Sequence, residues 1–538
     1  MHHRLARLRR AVVAAGSISL TELAVMTALL AALAAVTYGR HVVGGGFYSD
    51  DWANAALYRF GESPRFFHAV DQFADYLGSR PVLAVLLAVP HPLLGDHLWA
   101  HHALALVLGV VSCLCCYLFL RAIPMARIHA GIIACLALVF PWADATRPWP
   151  TASLNTVALD FAFLGAFIAL VGIRRDGRRS TVALAGSAAL YALSVLTHEV
   201  VGIALLLVGA LYLLNAPRSK ALRWWAVHAA VVGAALVYTA LTTEKAVGGL
   251  GSRLEDLPKY ARQSVVLLSY SFVPPGTTST APRAAGICVV ATIVLVAVWR
   301  YRKTRDRELG FWLLMVGGSA VTIASAYAVT LSAFLEPLRE GVYNRGNLFA
   351  AFGYAGLVYA LAMTAACLVD GRKQGVRAVA AGVVALIAVG YVVRSRDDVA
   401  DWDRAARLQM PALTATVRAA TMLPRGSTVF AFGHPGSLRD GIPIFYVDWD
   451  LDGALAMETN DRSLHAYPVY ESASIVCDTS RVAITYIHSD SAAQAGYRST
   501  YFLDVPTRAV RRISSVDDCA DALRIFRPGP EYAEPEET

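Results

Sequence analysis

FYSDDW, residues 47–52, sets Asp50 and Asp51 side by side shortly after an apolar run that ends at Arg40. When two carboxylates adjoin, partly out of water, one pKa of the pair rises toward the range useful to a general base. The same hard oxygens would also suit a divalent cation such as Mg²⁺ or Mn²⁺. Other stretches carry groups of related character. LTHEV puts His198 and Glu199 into a break in an otherwise apolar run from Thr181 to Asn215. NRGN carries Arg345, whose fork of donors matches phosphate oxygens. LGSRP and DATRPWP add Arg80 and Arg147. Each has a plainer reading as well: Ser49 or Asp50 as a helix N-cap, Glu199 in a first helical turn, Arg345 reaching from the interface to water.

The elements that must position these residues are read from hydropathy. Of 538 residues, 56% are hydrophobic and 16% charged, whereas a soluble chain carries about 25% charged residues. Mean hydropathy is +0.48. Apolar runs at 19–40, 98–121, 128–141, 151–173, 181–196, 200–215, 224–243, 284–302, 310–331, 347–369 and 376–394 approach the length of a membrane crossing. The third, fifth and sixth are short. The fold class is a polytopic α-helical membrane protein with about eleven spans. Alternate connections are basic, one set holding 21 Lys and Arg and the longer set 12. By the positive-inside rule the N-terminus is cytoplasmic and the odd span count puts the C-terminus outside, with all the stretches above on that outer face. Only five of the 48 basic residues are Lys, a bias of GC-rich bacterial genomes, so the expected location is a bacterial plasma membrane. Basic charge beside spans is a topology signal and implies no nucleic acid.

From Arg396 onward the chain is acidic, with 21 Asp and Glu against 14 Lys and Arg. The expected organisation is a membrane region at 1–394 with a long outer loop at 41–97, then an extracytoplasmic α/β domain at 395–527. A helix from about 395 should end before Pro424, and strands are expected at 427–433, 442–450, 481–489 and 501–505. An acidic tail at 528–538 should be disordered. Cys477 and Cys519 alone lie in the outer domain; an oxidising compartment predicts a disulfide, the alternative being two buried thiols. Trp449, Tyr446, Tyr467 and Tyr470 could stack on sugar rings or fill the domain core.

A first span, YSDDW opening a long outer loop, about eleven spans and an outer C-terminal domain together resemble the GT-C superfamily of integral-membrane glycosyltransferases. WDLDGAL (449–455) is similar to strands of actinobacterial members, and THEV stands where bacterial members often have a Lys-Glu pair, His198 replacing the Lys. The resemblance implies a polyprenyl-phosphate-linked sugar donor, a glycan, lipid or protein acceptor, and transfer with inversion. It further implies Asp50 as base, Asp51 orienting the acceptor or binding a cation, Arg345 with His198 or Arg80 on the donor phosphate, and Glu199 as acceptor or metal ligand. Rival readings are a transporter or flippase for a lipid-linked or anionic solute, for which the break at Thr197–Glu199 would suit a discontinuous helix, and a non-catalytic scaffold of envelope synthesis.

Overall fold

Leu20–Gly44 forms one 25-residue helix because its residues are almost wholly apolar and Ser19 caps it, accepting from the Glu22 N–H at 3.0 Å. At 1.5 Å per residue it is about 37 Å long, enough to cross a hydrocarbon core. The computed structural model describes residues 18–123, 125–243, 257–271, 280–332, 338–370, 374–486 and 489–533. Among these, nine helices are long and apolar enough to cross a membrane. Two further expected spans are helices too short to cross unaided, Arg127–Leu138 with 12 residues and Gly202–Asn215 with 14. The span expected as short at 181–196 is instead the 21-residue helix Gly177–Thr197. Hydropathy marked only its apolar part and missed the polar first turn. Arg4, Arg7, Arg9, Arg10, Lys245, Arg253, Arg372 and Lys373, used above for orientation, lie outside the described residues.

The boundary expected at 394/395 falls inside a single 48-residue helix, Gln374–Thr421, which carries Pro411 within it. The polar stretch after the apolar run keeps helical spacing, and Arg394 reaches Asp398 one turn on at 2.9 Å. The long helix therefore leads directly into the C-terminal domain.

That domain holds a four-stranded sheet in the order β4 (His465–Val469), β1 (Thr428–Phe432), β8 (Thr500–Asp504), β9 (Ala509–Ile513). The first three strands are parallel and β9 is antiparallel. A hairpin of β2 (Ser437–Arg439) and β3 (Ile442–Pro443) and an antiparallel sheet of β5 (Ala473–Cys477), β6 (Arg481–Tyr486) and β7 (Ser489–Gly496) complete it. Cys477 of β5 and Cys519 of the helix Val516–Ile525 are joined by a disulfide.

The strand expected over 442–450 is a correction. Only Ile442–Pro443 pairs, and Asp448–Thr459, including the WDLDGAL stretch, is a helix. Its acids decide the outcome: the Asp450 carboxylate accepts from the N–H groups of Tyr446 at 2.6 Å and Leu451 at 2.6 Å, satisfying donors a helix start leaves open. The acidic tail is also corrected in its first part. Gly529 N–H donates to Val469 O at 3.0 Å and Ala533 N–H to Ser437 O at 2.9 Å, so residues 528–533 satisfy edge backbone groups of the domain.

One apolar core joins Phe47, Tyr48 and Trp52 of the first loop, Trp402 and Leu413 of the long helix, and Val429, Leu451 and Leu455 of the C-terminal domain. The loop that carries the tandem aspartates is thus buried against that domain.

Candidate active site

The approach to the aspartates is fixed first. A Cβ at Gly46 would lie 2.9 Å from the Ala406 Cβ, so only glycine lets the chain pass the long helix this closely. Tyr48 then donates its hydroxyl to Trp402 O at 2.9 Å. The His41 ring bridges Asp403 at 2.5 Å and the Pro148 carbonyl at 2.9 Å. Ser49 follows at φ 45°, ψ −115°, a strained conformation for a residue other than glycine, and its side chain caps nothing. The side-chain cap expected from Ser49 or Asp50 is not made; ahead of the helix, Asp51 Oδ2 accepts from the Tyr48 N–H at 3.0 Å.

This turn sends the two carboxylates in different directions. Asp51 is 3% exposed, and its Oδ1 accepts from the Thr151 N–H at 2.8 Å and hydroxyl at 2.5 Å. Thr151 in turn accepts from Asn54 Nδ2 at 3.0 Å. Burial pushes the Asp51 pKa up to about 7, the Thr151 and Tyr48 donors pulling the other way. Asp51 lines a small cavity of about 20 Å³, room for a single water. Asp51 therefore positions the turn. Asp50 faces a cavity of about 390 Å³. Its Oδ1 accepts from Trp449 Nε1–H at 3.0 Å, and its Oδ2 has no partner among the described residues.

Arg345 enters the same cavity from the turn Gly341–Asn347. Two asparagines hold that turn. Asn344 donates to Asp144 at 2.8 Å and accepts from the Ala145 N–H at 2.9 Å, while Asn347 donates to Trp142 O at 2.7 Å. The Arg345 guanidinium stands 4.9 Å over the Trp149 ring. It makes no hydrogen bond or ion pair with the described residues. Burial lowers its pKa from the usual value, the Asp50 charge opposing and Arg80 adding to that shift.

Arg80 and His198 also line the cavity. Arg80 is not free to take a ligand alone: Nε and the terminal nitrogen grip Glu199 at 2.9 and 2.6 Å. Glu199, expected as an acceptor or metal ligand, is thus committed to Arg80. The His198 Nδ1 lies 3.4 Å from the Val200 N–H, which donates to it.

The structure therefore brings Asp50, Arg80, His198 and Arg345 around one space, sets Asp51 behind it, and pairs Glu199 at its edge. Arg147 is buried away from the cavity, donating to the Thr146 hydroxyl. Sequence reasoning missed Trp149 and Asn155. Both line the cavity, and the Trp149 Nε1 and Asn155 Oδ1 are buried without a hydrogen-bond partner among the described residues. Trp149 stood in DATRPWP, a stretch singled out for its Arg alone. Of the four aromatics weighed for sugar stacking, Trp449 reaches the cavity and Tyr470 is fully buried in the domain core.

The donor set does not fit a divalent cation. Among the described residues no group of three or more His, Cys, Asp or Glu is gathered. Asp51 and Glu199 have their oxygens engaged by the protein, which leaves, of these three acids, a single carboxylate oxygen on Asp50 open among the described residues.

No family model and no curated protein matches the chain. Among solved structures it is similar to the Archaeoglobus fulgidus oligosaccharyltransferase tethered with an acceptor peptide, at 11% identity over 76% of this chain and 62% of that one, TM-score 0.39. The chain thus spans about three fifths of that enzyme's length. The same oligosaccharyltransferase in complex with Zn and sulfate gives 12% identity, 81% and 61% coverage and a TM-score of 0.38. ArnT from Cupriavidus metallidurans bound to undecaprenyl phosphate gives 14% identity, 82% and 89% coverage and a TM-score of 0.38. Oligosaccharyltransferase and ArnT are GT-C superfamily proteins.

Proposed function

We propose that this protein transfers a sugar from a polyprenyl phosphate carrier to a hydroxyl of a glycan, lipid or protein acceptor on the extracytoplasmic face of a bacterial plasma membrane. One observation carries the reading: a guanidinium with no ion pair and a carboxylate oxygen with no donor among the described residues share one cavity beside membrane-spanning helices. A partly buried, unpaired Arg is costly, and a bound anion would relieve that cost. The cavity volume lies within the range of small-ligand sites, roughly 300–1,000 Å³.

Asp50 Oδ2 takes the proton of the acceptor hydroxyl as the hydroxyl oxygen attacks the anomeric carbon. The bond from that carbon to the phosphate oxygen breaks, and the lipid phosphate leaves with both electrons. Arg345, standing over the Trp149 ring, offers its N–H groups to the phosphate as charge builds, a preorganised arrangement that lowers the barrier. Attack opposite the leaving group gives inversion. Arg80 keeps Glu199 neutralised and leaves Arg345 as the cation available to the anion.

A transporter has the helix break at His198 in its favour, but Glu199 in that break is bound to Arg80. Incubation of the purified protein with a polyprenyl-phosphate sugar and candidate acceptors should consume donor, and Asp50→Asn should cut turnover by about 10²–10⁴-fold while the fold is kept. Turnover retained in Asp50→Asn would overturn the base assignment.

A further inference from the structure

Asp50 is held by two parts of the chain 399 residues apart. Its backbone follows the strained turn at Ser49, and its Oδ1 accepts from Trp449 Nε1–H at 3.0 Å. Trp449 belongs to the C-terminal domain, at the second position of the helix Asp448–Thr459. That helix is rigidly started: Asp450 is fully buried and accepts from N–H groups on both sides of it. Its distance from the Asp50–Arg59 helix is set by Gly453, where a Cβ would lie 2.7 Å from the Trp52 carbonyl. Only glycine permits this approach, so the indole N–H reaches the carboxylate from a fixed direction.

Resting on the reading above, we infer that the C-terminal domain completes the reaction centre, with Trp449 as a positioning residue that occupies Asp50 Oδ1 and leaves Oδ2 facing the acceptor hydroxyl. A carboxylate free to rotate about its terminal bond presents either oxygen in many directions. A directed N–H bond to one oxygen selects one orientation, and misplacement of a reacting group by about 1 Å can cost about 10²-fold. The bond bears on the reacting carboxylate and not on the donor phosphate, so its loss belongs in kcat.

The test compares Trp449→Phe, Trp449→His and Asp50→Asn in the full-length purified protein, with fold monitored by thermal melting and by the Cys477–Cys519 disulfide. Phe keeps a ring and removes the N–H. His can place its Nε2–H where the indole N–H stands. Trp449→Phe is expected to lower kcat about tenfold or more with the KM for the lipid donor unchanged within about twofold, and Trp449→His to restore most of the loss. Wild-type kcat in Trp449→Phe would overturn the inference, as would equal losses in the Phe and His variants with the melting temperature held. If Asp50→Asn itself turns over normally, the functional reading fails; if Asp50→Asn is inactive and Trp449→Phe is normal, only this inference fails.

Discussion

Two clusters of charge lie where the membrane helices meet the C-terminal domain, and they are built in opposite ways. In the first, Arg439 of the β2–β3 hairpin reaches Asp398 at 2.7 Å, Asp401 at 2.6 Å and Glu340 at 2.8 Å. Arg394 adds a second cation to Asp398 at 2.9 Å. Each of these carboxylates meets a cation, and the cluster ties the long helix, the segment leading to Arg345 and the domain together. In the second, Arg80 and Glu199 neutralise each other, while Arg345 and Asp50 Oδ2 stay open around a cavity. The first cluster has the pattern of a structural clamp. The second leaves polar groups unsatisfied where a ligand could satisfy them, as expected of a site that trades stability for binding.

The comparison makes opposite forecasts for the two arginines. Arg345→Gln should lower transfer kcat/KM by roughly 100-fold, about 2.7 kcal/mol of lost transition-state binding, and leave the melting temperature unchanged or raised, because an unpaired cation has been removed. Arg439→Ala should do the reverse. Loss of three charged contacts, each partly screened by solvent, should cost about 2 kcal/mol of stability in a detergent melt, with activity falling only as the domain loosens. If both variants lose stability alike, the two clusters are of one kind.

A smaller effect separates the paired edge of the cavity from its open centre. Arg80→Ala leaves Glu199 partly buried without its cation and should destabilise by about 1–2 kcal/mol. Adding Glu199→Gln should recover most of that in a double-mutant cycle. Absence of recovery would mean that Arg80 serves the ligand more than Glu199.

Much of this arrangement was legible because polar groups in an apolar chain stand out. Asp50 was found after an apolar run ends, His198 in a break within one and Arg345 where one begins, and alternation of basic connections put them on one face. Their convergence on a single cavity needed the fold. The division of labour between Asp50 and Asp51 was not legible, because it depends on the positive φ of Ser49 and on Thr151, 100 residues away. Trp149 and Asn155 gave no signal, since Trp is ordinary at a membrane interface and Asn at a helix start. The start of the helix Asp448–Thr459 was drawn into a strand at 442–450 by the aromatic and β-branched residues before it, and the buried Asp450 that caps the helix was the competing term. Helical spacing of the charges after Arg394 hid behind the fall in hydropathy, so one helix was read as two.

The smallest forecast concerns the inward aspartate. Burial holds Asp51 up at about 7, whereas an unfolded Asp titrates at about 4. The folded state therefore keeps a proton that the unfolded chain has lost, a contribution fully present below about pH 4 and lost as pH rises through about 7. Between pH 6 and 7 stability should fall by about 1 kcal/mol from this group, and Asp51→Asn should flatten that part of the melting profile. An identical slope in both proteins would mean that Asp51 is ionised throughout.

Binding of unmodified polyprenyl phosphate to the purified protein, measured by native mass spectrometry or tracer competition for wild type and Arg345→Gln, reaches the central claim most directly. A lipid phosphate that fills the open site should bind the wild type and lose about tenfold or more in affinity when Arg345 is neutralised, with Arg439→Gln binding as the wild type does. Equal affinity in the wild type and Arg345→Gln would contradict the account.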